Sequence, residues 1–82
     1  MKKSVWQENY KIISAELKAM RIEAGLSQVS LSERLERPQS YVSKYENGDR
    51  YLDFIEVLAI CSVCGTSPSQ LIKKLGFDFK DL

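Results

Sequence analysis

Apolar residues recur along this chain at helical spacing, in short runs set off by residues that open or close helices. Tyr10, Ile13, Leu17, Met20 and Ala24 fall at three- and four-residue steps with Arg21 on the same stripe, which predicts a first helix closed by Gly25 in left-handed backbone. Leu31 and Leu35 repeat after Ser27, whose hydroxyl suits it to accept from the first free N–H groups of a helix opening at Gln28. Glu36-Arg37-Pro38 interrupts that pattern, because proline lacks an N–H and drives the residue before it out of the helical region. Pro38 fits the first turn of a new helix, Val42 and Tyr45 give that helix an inner edge, and Asn47-Gly48-Asp49 ends it. Phe54, Val57, Leu58, Cys61 and Cys64 mark the buried side of a fourth helix opened by an Asp53/Glu56 capping box. Ser67-Pro68-Ser69-Gln70 opens a fifth, predicted over Pro68 to Leu75 and stopped by Gly76.

The segment from Ser27 to Arg50 is the informative one. On a wheel of about 3.6 residues per turn, Gln39, Ser40, Ser43 and Lys44 lie opposite Val42 and Tyr45. Two short helices set at an angle by a tight joint, the second with a short polar outward face, make the layout of a helix-turn-helix reader of duplex DNA. Short side chains let such a helix approach the major groove. Glutamine pairs bidentately with adenine there, and lysine donates to guanine.

From about Leu17 to Leu71 the chain resembles the Xre/Cro-like helix-turn-helix family, through LKAMRIEAGLSQ, then SYVSKYENGDRYLD, then SPSQL. The resemblance implies an all-α, five-helix lambda-repressor-like DNA-binding domain occupying residues 1–82, with the motif at about 27–47. It places the helix at about 39–46 in the major groove, with Gln39, Ser40, Ser43 and Lys44 facing base edges. Gln28, Asn47, Gly48 and Arg50 would hold phosphates. The family pattern also pairs Arg21 with Glu46 as a structural tie that fixes the angle of the reading helix. Many relatives carry glycine where this chain has Glu36, and a side chain in left-handed backbone costs roughly 1 kcal/mol. Val29 is a second departure, apolar where relatives often have acids.

Composition sets the outer limits. With 82 residues, 44% of them apolar, the chain suffices for one small helical core and no second domain. The net charge is only +1. Within Ser27–Arg50 the cations Arg34, Arg37, Lys44 and Arg50 are balanced by Glu33, Glu36, Glu46 and Asp49, so charge alone does not point to nucleic acid. Affinity is therefore expected to lean on placed contacts and dimeric avidity, with a moderate salt dependence. Lys2 and Lys3 are followed by polar Gln7, Glu8 and Asn9 instead of an apolar core, so no signal peptide is read and the expected location is cytoplasmic. The apolar run Val57 to Cys64 is too short to span a bilayer. Cys61 and Cys64 have metal-ligand spacing, but the chain has no histidine and no other cysteine, so both thiols read as core. Without histidine, a glycine-rich phosphate loop or a carboxylate pair, no enzyme, cofactor, metal or small-molecule ligand is expected.

The C-terminal tail, residues 76–82, interleaves Phe77, Phe79 and Leu82 with Asp78, Lys80 and Asp81. Two readings stand side by side. Phe77 lids its own core, or Leu71, Ile72, Leu75, Phe77 and Phe79 form a self-complementary two-fold interface, the option favoured by the resemblance because small Cro-like proteins often dimerise through the last helix. Residues 1–9, with Lys2, Lys3 and Trp6, are open to three readings, reaching phosphates, extending the first helix or packing on a partner, and carry no assigned role. The expectation is a sequence-specific transcriptional regulator that binds a palindromic operator in double-stranded DNA as a homodimer. The alternative is an antitoxin, or an adaptor that keeps the fold without reading DNA, and an adaptor would show apolar or acidic residues on the reading face.

Overall fold

The computed structural model describes residues 3–76. Among these, α1 (Lys3–Glu23), α2 (Gln28–Arg34), α3 (Tyr41–Glu46), α4 (Phe54–Cys64) and α5 (Pro68–Leu75) make an all-α fold. The caps follow from local chemistry. Gly25, at φ 75°, closes α1, with Leu26 N–H donating to Arg21 O at 3.1 Å. Ser27 Oγ accepts from Ser30 N–H at 3.0 Å and opens α2. Asp53 with Glu56, and Ser67 with Gln70, form reciprocal capping boxes at the starts of α4 and α5. Gly76, at φ 64°, ends α5.

α1 is the spine: it packs on α3, α4 and α5, while α2 packs on α3. Leu17 and Met20 from α1 meet Leu31, Val42, Tyr45, Ile60, Cys61 and Leu71 in a single core. Burial pushes the Cys61 thiol above its ordinary range, and does the same to half-buried Cys64 with a contribution from Cys61. Among the described residues no group of His, Cys, Asp and Glu is placed to hold a metal ion. Nor is any single helix there long and apolar enough to cross a membrane.

The structure corrects the sequence reading at four places. α1 ends at Glu23 and leaves Ala24 in the turn that follows, while its start at Lys3 makes the N-terminal segment an extension of the first helix, one of the options left open for it. α3 begins at Tyr41, not near Gln39. The N–H of Tyr41 closes a turn onto Pro38 O at 2.9 Å, and the helical bonding starts with Lys44 N–H to Ser40 O, so Gln39 and Ser40 belong to the turn. On α4, Phe54 is 71% exposed whereas Ile60 is fully buried. That helix is apolar almost all round, and its phase is set by Glu56, which must face α3; Phe54, two residues earlier, is then carried to the opposite side. Finally Leu71, grouped in sequence with the partner-facing residues, is only 4% exposed and belongs to the chain's own core, leaving Ile72 as the exposed apolar residue of α5. Phe77 and Phe79 lie outside the described residues.

Candidate nucleic-acid interface

Two buried carboxylates fix α3 in place, one at each end. At its C-terminal end Glu46 accepts from Arg21 Nε at 2.8 Å and Nη2 at 3.1 Å, while Arg21 Nη1 donates to Leu26 O at 2.8 Å. Gln28 Nε2 adds a bond to Glu46 Oε1 at 2.9 Å, so one carboxylate joins α1, α2 and α3. The pair is sequestered, with side-chain exposures of 9% for Arg21 and 3% for Glu46. The hydrogen bonds to Glu46 raise the Arg21 pKa against the opposing effect of burial. Glu46 is therefore paired and screened from solvent inside the fold instead of facing a polyanion. Gln28, expected at a phosphate, has at least one amide hydrogen turned inward to this tie.

The second carboxylate is Glu56 of α4. Its Oε1 closes the capping box on Asp53 N–H at 3.0 Å, and its Oε2 accepts from Tyr41 Oη and from Arg50 Nη2, both at 2.6 Å. Burial opposes ionisation of Glu56, yet the bonds from Tyr41 and the Asp53 N–H, with the charge of Arg50, outweigh it and hold the carboxyl below its ordinary value. Burial and the same hydrogen bond push the Tyr41 phenol up. Tyr10 Oη donates to Arg50 O at 2.9 Å and its ring stacks on Tyr51 at 4.4 Å between centroids, so α1 also braces the segment after α3. The sequence reading took Glu56 only as a cap and passed over Tyr41. The available signal was Tyr41 four residues before Tyr45, which puts both rings on the same side of α3.

The joint between the helices is tight. Glu36 sits at φ 56°, and Arg37 N–H reaches Ser32 O at 3.0 Å. Ser32, fully buried, donates from Oγ to Gln39 O and accepts from Val42 N–H, both at 3.3 Å, bridging α2 to the start of α3. Nothing in the periodicity of the sequence marks that role.

What remains outward is an edge of polar groups. Gln39, Ser40 and Lys44 are exposed and Ser43 is half-buried. Ser43 Oγ donates to Ser40 O at 3.0 Å, which leaves its lone pairs for an incoming donor, while the Ser40 hydroxyl makes no cap bond and stays available. Asn47 is exposed at the end of α3, next to Gly48 at φ 81°. The Gly48 N–H is turned toward Tyr45 O at 3.3 Å and Asp49 N–H donates to Lys44 O at 2.9 Å, so these amides serve the helix terminus first. Arg50 stands beside the edge with its side chain 41% exposed.

Two short helices locked at a fixed angle, with the second presenting such an edge, define a helix-turn-helix DNA-binding domain. Comparison with known proteins agrees: residues 12–71 match the family model described as a helix-turn-helix domain. An XRE-family like protein from Pseudomonas syringae pv. tomato str. DC3000 is 42% identical over 90% of each chain, with a TM-score of 0.81. The clp gene regulator ClgR from C. glutamicum shares the fold at a TM-score of 0.76 and 18% identity, over 88% of this chain and 92% of that one. No curated protein matches the sequence. The chain belongs to the Xre-like helix-turn-helix family, and is a DNA-binding transcription regulator, not an enzyme.

Proposed function

We propose that this regulator is sequence-specific and acts as a homodimer on a palindromic operator whose half-sites lie about one helical turn, roughly 34 Å, apart. The observation that carries the reading is the polar edge of Gln39, Ser40, Ser43 and Lys44, held outward on the turn before α3 and on α3 itself, whose Glu46 is tied down by Arg21. In this reading those four side chains meet base edges, and Asn47, Arg50 and the remaining capacity of Gln28 and the Gly48 backbone meet phosphates. The polar composition of this edge speaks against an adaptor that keeps the fold without reading DNA.

The second copy is met through Ile72 and Leu75 of α5, continued by Phe77 and Phe79. In this reading the protein's own concentration sets occupancy through dimer formation, and it represses its own promoter. Selection of bound fragments from random duplex tests the reading: two-fold symmetric winners are expected, and winners without a shared sequence would remove it. A promoter-reporter assay in which added protein leaves its own promoter unchanged would remove autoregulation alone.

A further inference from the structure

Between the start of α3 and the segment after it lies a cleft of about 260 Å³ lined by Arg37, Pro38, Ser40, Tyr41, Lys44 and Arg50. Three of its six residues are cationic, in a chain whose net charge is only +1. The guanidinium carbons of Arg37 and Arg50 stand 5.4 Å and 5.1 Å from the centroid of the Tyr41 ring, so one aromatic ring gathers both groups. The Glu56 carboxylate lies behind them, and its Oε2 is already shared between Tyr41 and Arg50. Among the described residues Arg37 and Lys44 form no ion pair, Arg37 acting on Glu56 only through its charge at a distance, and the Nη1 of Arg50 has no acceptor there. The Ser40 hydroxyl, free of capping, opens on the same cleft. Donors and positive charge thus converge on a hollow large enough for a phosphate group.

We infer that this cleft is a phosphodiester site: it grips the DNA backbone beside the reading helix, with Arg37 and Arg50 as its two guanidinium arms and the Tyr41–Glu56 pair as the brace that positions Arg50. The inference rests on the DNA-reading function proposed above and adds Arg37, which no motif marked. It also moves Lys44 and Ser40 to the rim between base and backbone. Guanidinium groups suit the task because their planar forks match phosphate oxygens two at a time.

The test is the salt dependence of duplex binding by the full chain, measured for wild type, Arg37→Ala and Arg37→Lys on a selected operator and on random duplex. Loss of one phosphate contact should lower the slope of log K against log salt by about 0.9 for Arg37→Ala and weaken both duplexes by the same factor, about fivefold to tenfold near 0.1 M salt. Arg37→Lys should restore most of the slope, and all three proteins should melt alike. An unchanged slope in Arg37→Ala, or a loss confined to the operator, would overturn the cleft and leave the DNA-reading function standing. A wild-type chain that binds neither duplex would remove both.

Discussion

Glu36 is the residue at which the chain gives up some stability for the sake of its joint. At φ 56° it occupies backbone that glycine adopts freely, while the hydrogen bonds of the turn are intact, so the strain is confined to one residue. Glu36→Gly should therefore keep the fold and raise stability by up to about 1 kcal/mol, the freedom glycine gains in the unfolded chain offsetting part of the relief. Thermal melting checks this, and a lower melting temperature would mean that the Glu36 side chain contributes more than its backbone loses. The Arg21–Glu46 tie is the opposite case. Removing Arg21 leaves a sequestered carboxylate with only Gln28 for company, and Arg21→Ala should cost about 3 kcal/mol in urea unfolding. Replacing both partners by apolar residues, Arg21→Met with Glu46→Leu, should recover much of that loss. If the double variant is as unstable as the single one, the tie is worth more than the burial of its carbon.

At the scale of elements, the recognition helix owes its position to tertiary contacts more than to its own sequence. α3 has six residues, too few to be stable alone, and it is held by Glu46 at one end and Glu56 at the other. This explains which features were legible beforehand. Caps at Ser27, Asp53, Ser67, Gly25 and Gly76 depend on neighbours in sequence, and each was readable from spacing. The start of α3 at Tyr41 and the rotation of α4 depend on Ser32 and Glu56 reaching across the fold, and no local pattern encodes that. Ser43 and Lys44 were legible as outward groups because two buried apolar residues, Val42 and Tyr45, orient the wheel, whereas Gln39 and Ser40 are exposed from the turn before α3 and not by helical phase. Gln39→Ala should weaken a selected operator by about 1 to 3 kcal/mol with little effect on random duplex, and Lys44→Ala, at the rim of the cleft, should weaken the operator more than random duplex, both read by competition binding. Equal loss on both would place that side chain on the backbone instead. Glu56 also makes the element sensitive to acid. Its carboxyl is held below the ordinary value of 4.5 in the folded chain, so its contribution is complete above that pH and is lost as the pH falls through the lower folded value. Urea midpoints should therefore decline less steeply below pH 4.5 in Glu56→Gln than in wild type, from a lower starting stability; parallel declines would show that Glu56 is not linked to folding.

For the whole molecule, the proposed homodimer needs a face that joins two copies so that two reading helices address successive turns of a duplex. The core uses Leu71 and much of Leu75 for the chain itself, so within α5 the outward apolar contribution among described residues is Ile72. A second apolar surface lies at the start of α4, where Phe54 and Ile55 are 71% and 76% exposed. Each face makes a different molecule. Pairing through α5 leaves the whole edge of α3 and its cationic cleft open, because α5 packs on α1 and α4. Pairing through Phe54 would set the partner near Arg50 and Glu56, close to the proposed groove contacts. The α5 arrangement is the one proposed, and a charge introduced on each face separates them. Ile72→Asp should turn a dimer into a monomer in sedimentation equilibrium and make operator binding fall steeply at low protein concentration, with melting nearly unchanged because the side chain is exposed. Phe54→Asp should leave the dimer intact. The reverse outcome, a dimer that survives Ile72→Asp and fails with Phe54→Asp, would move the two-fold axis to α4 and shorten the span between the two reading helices.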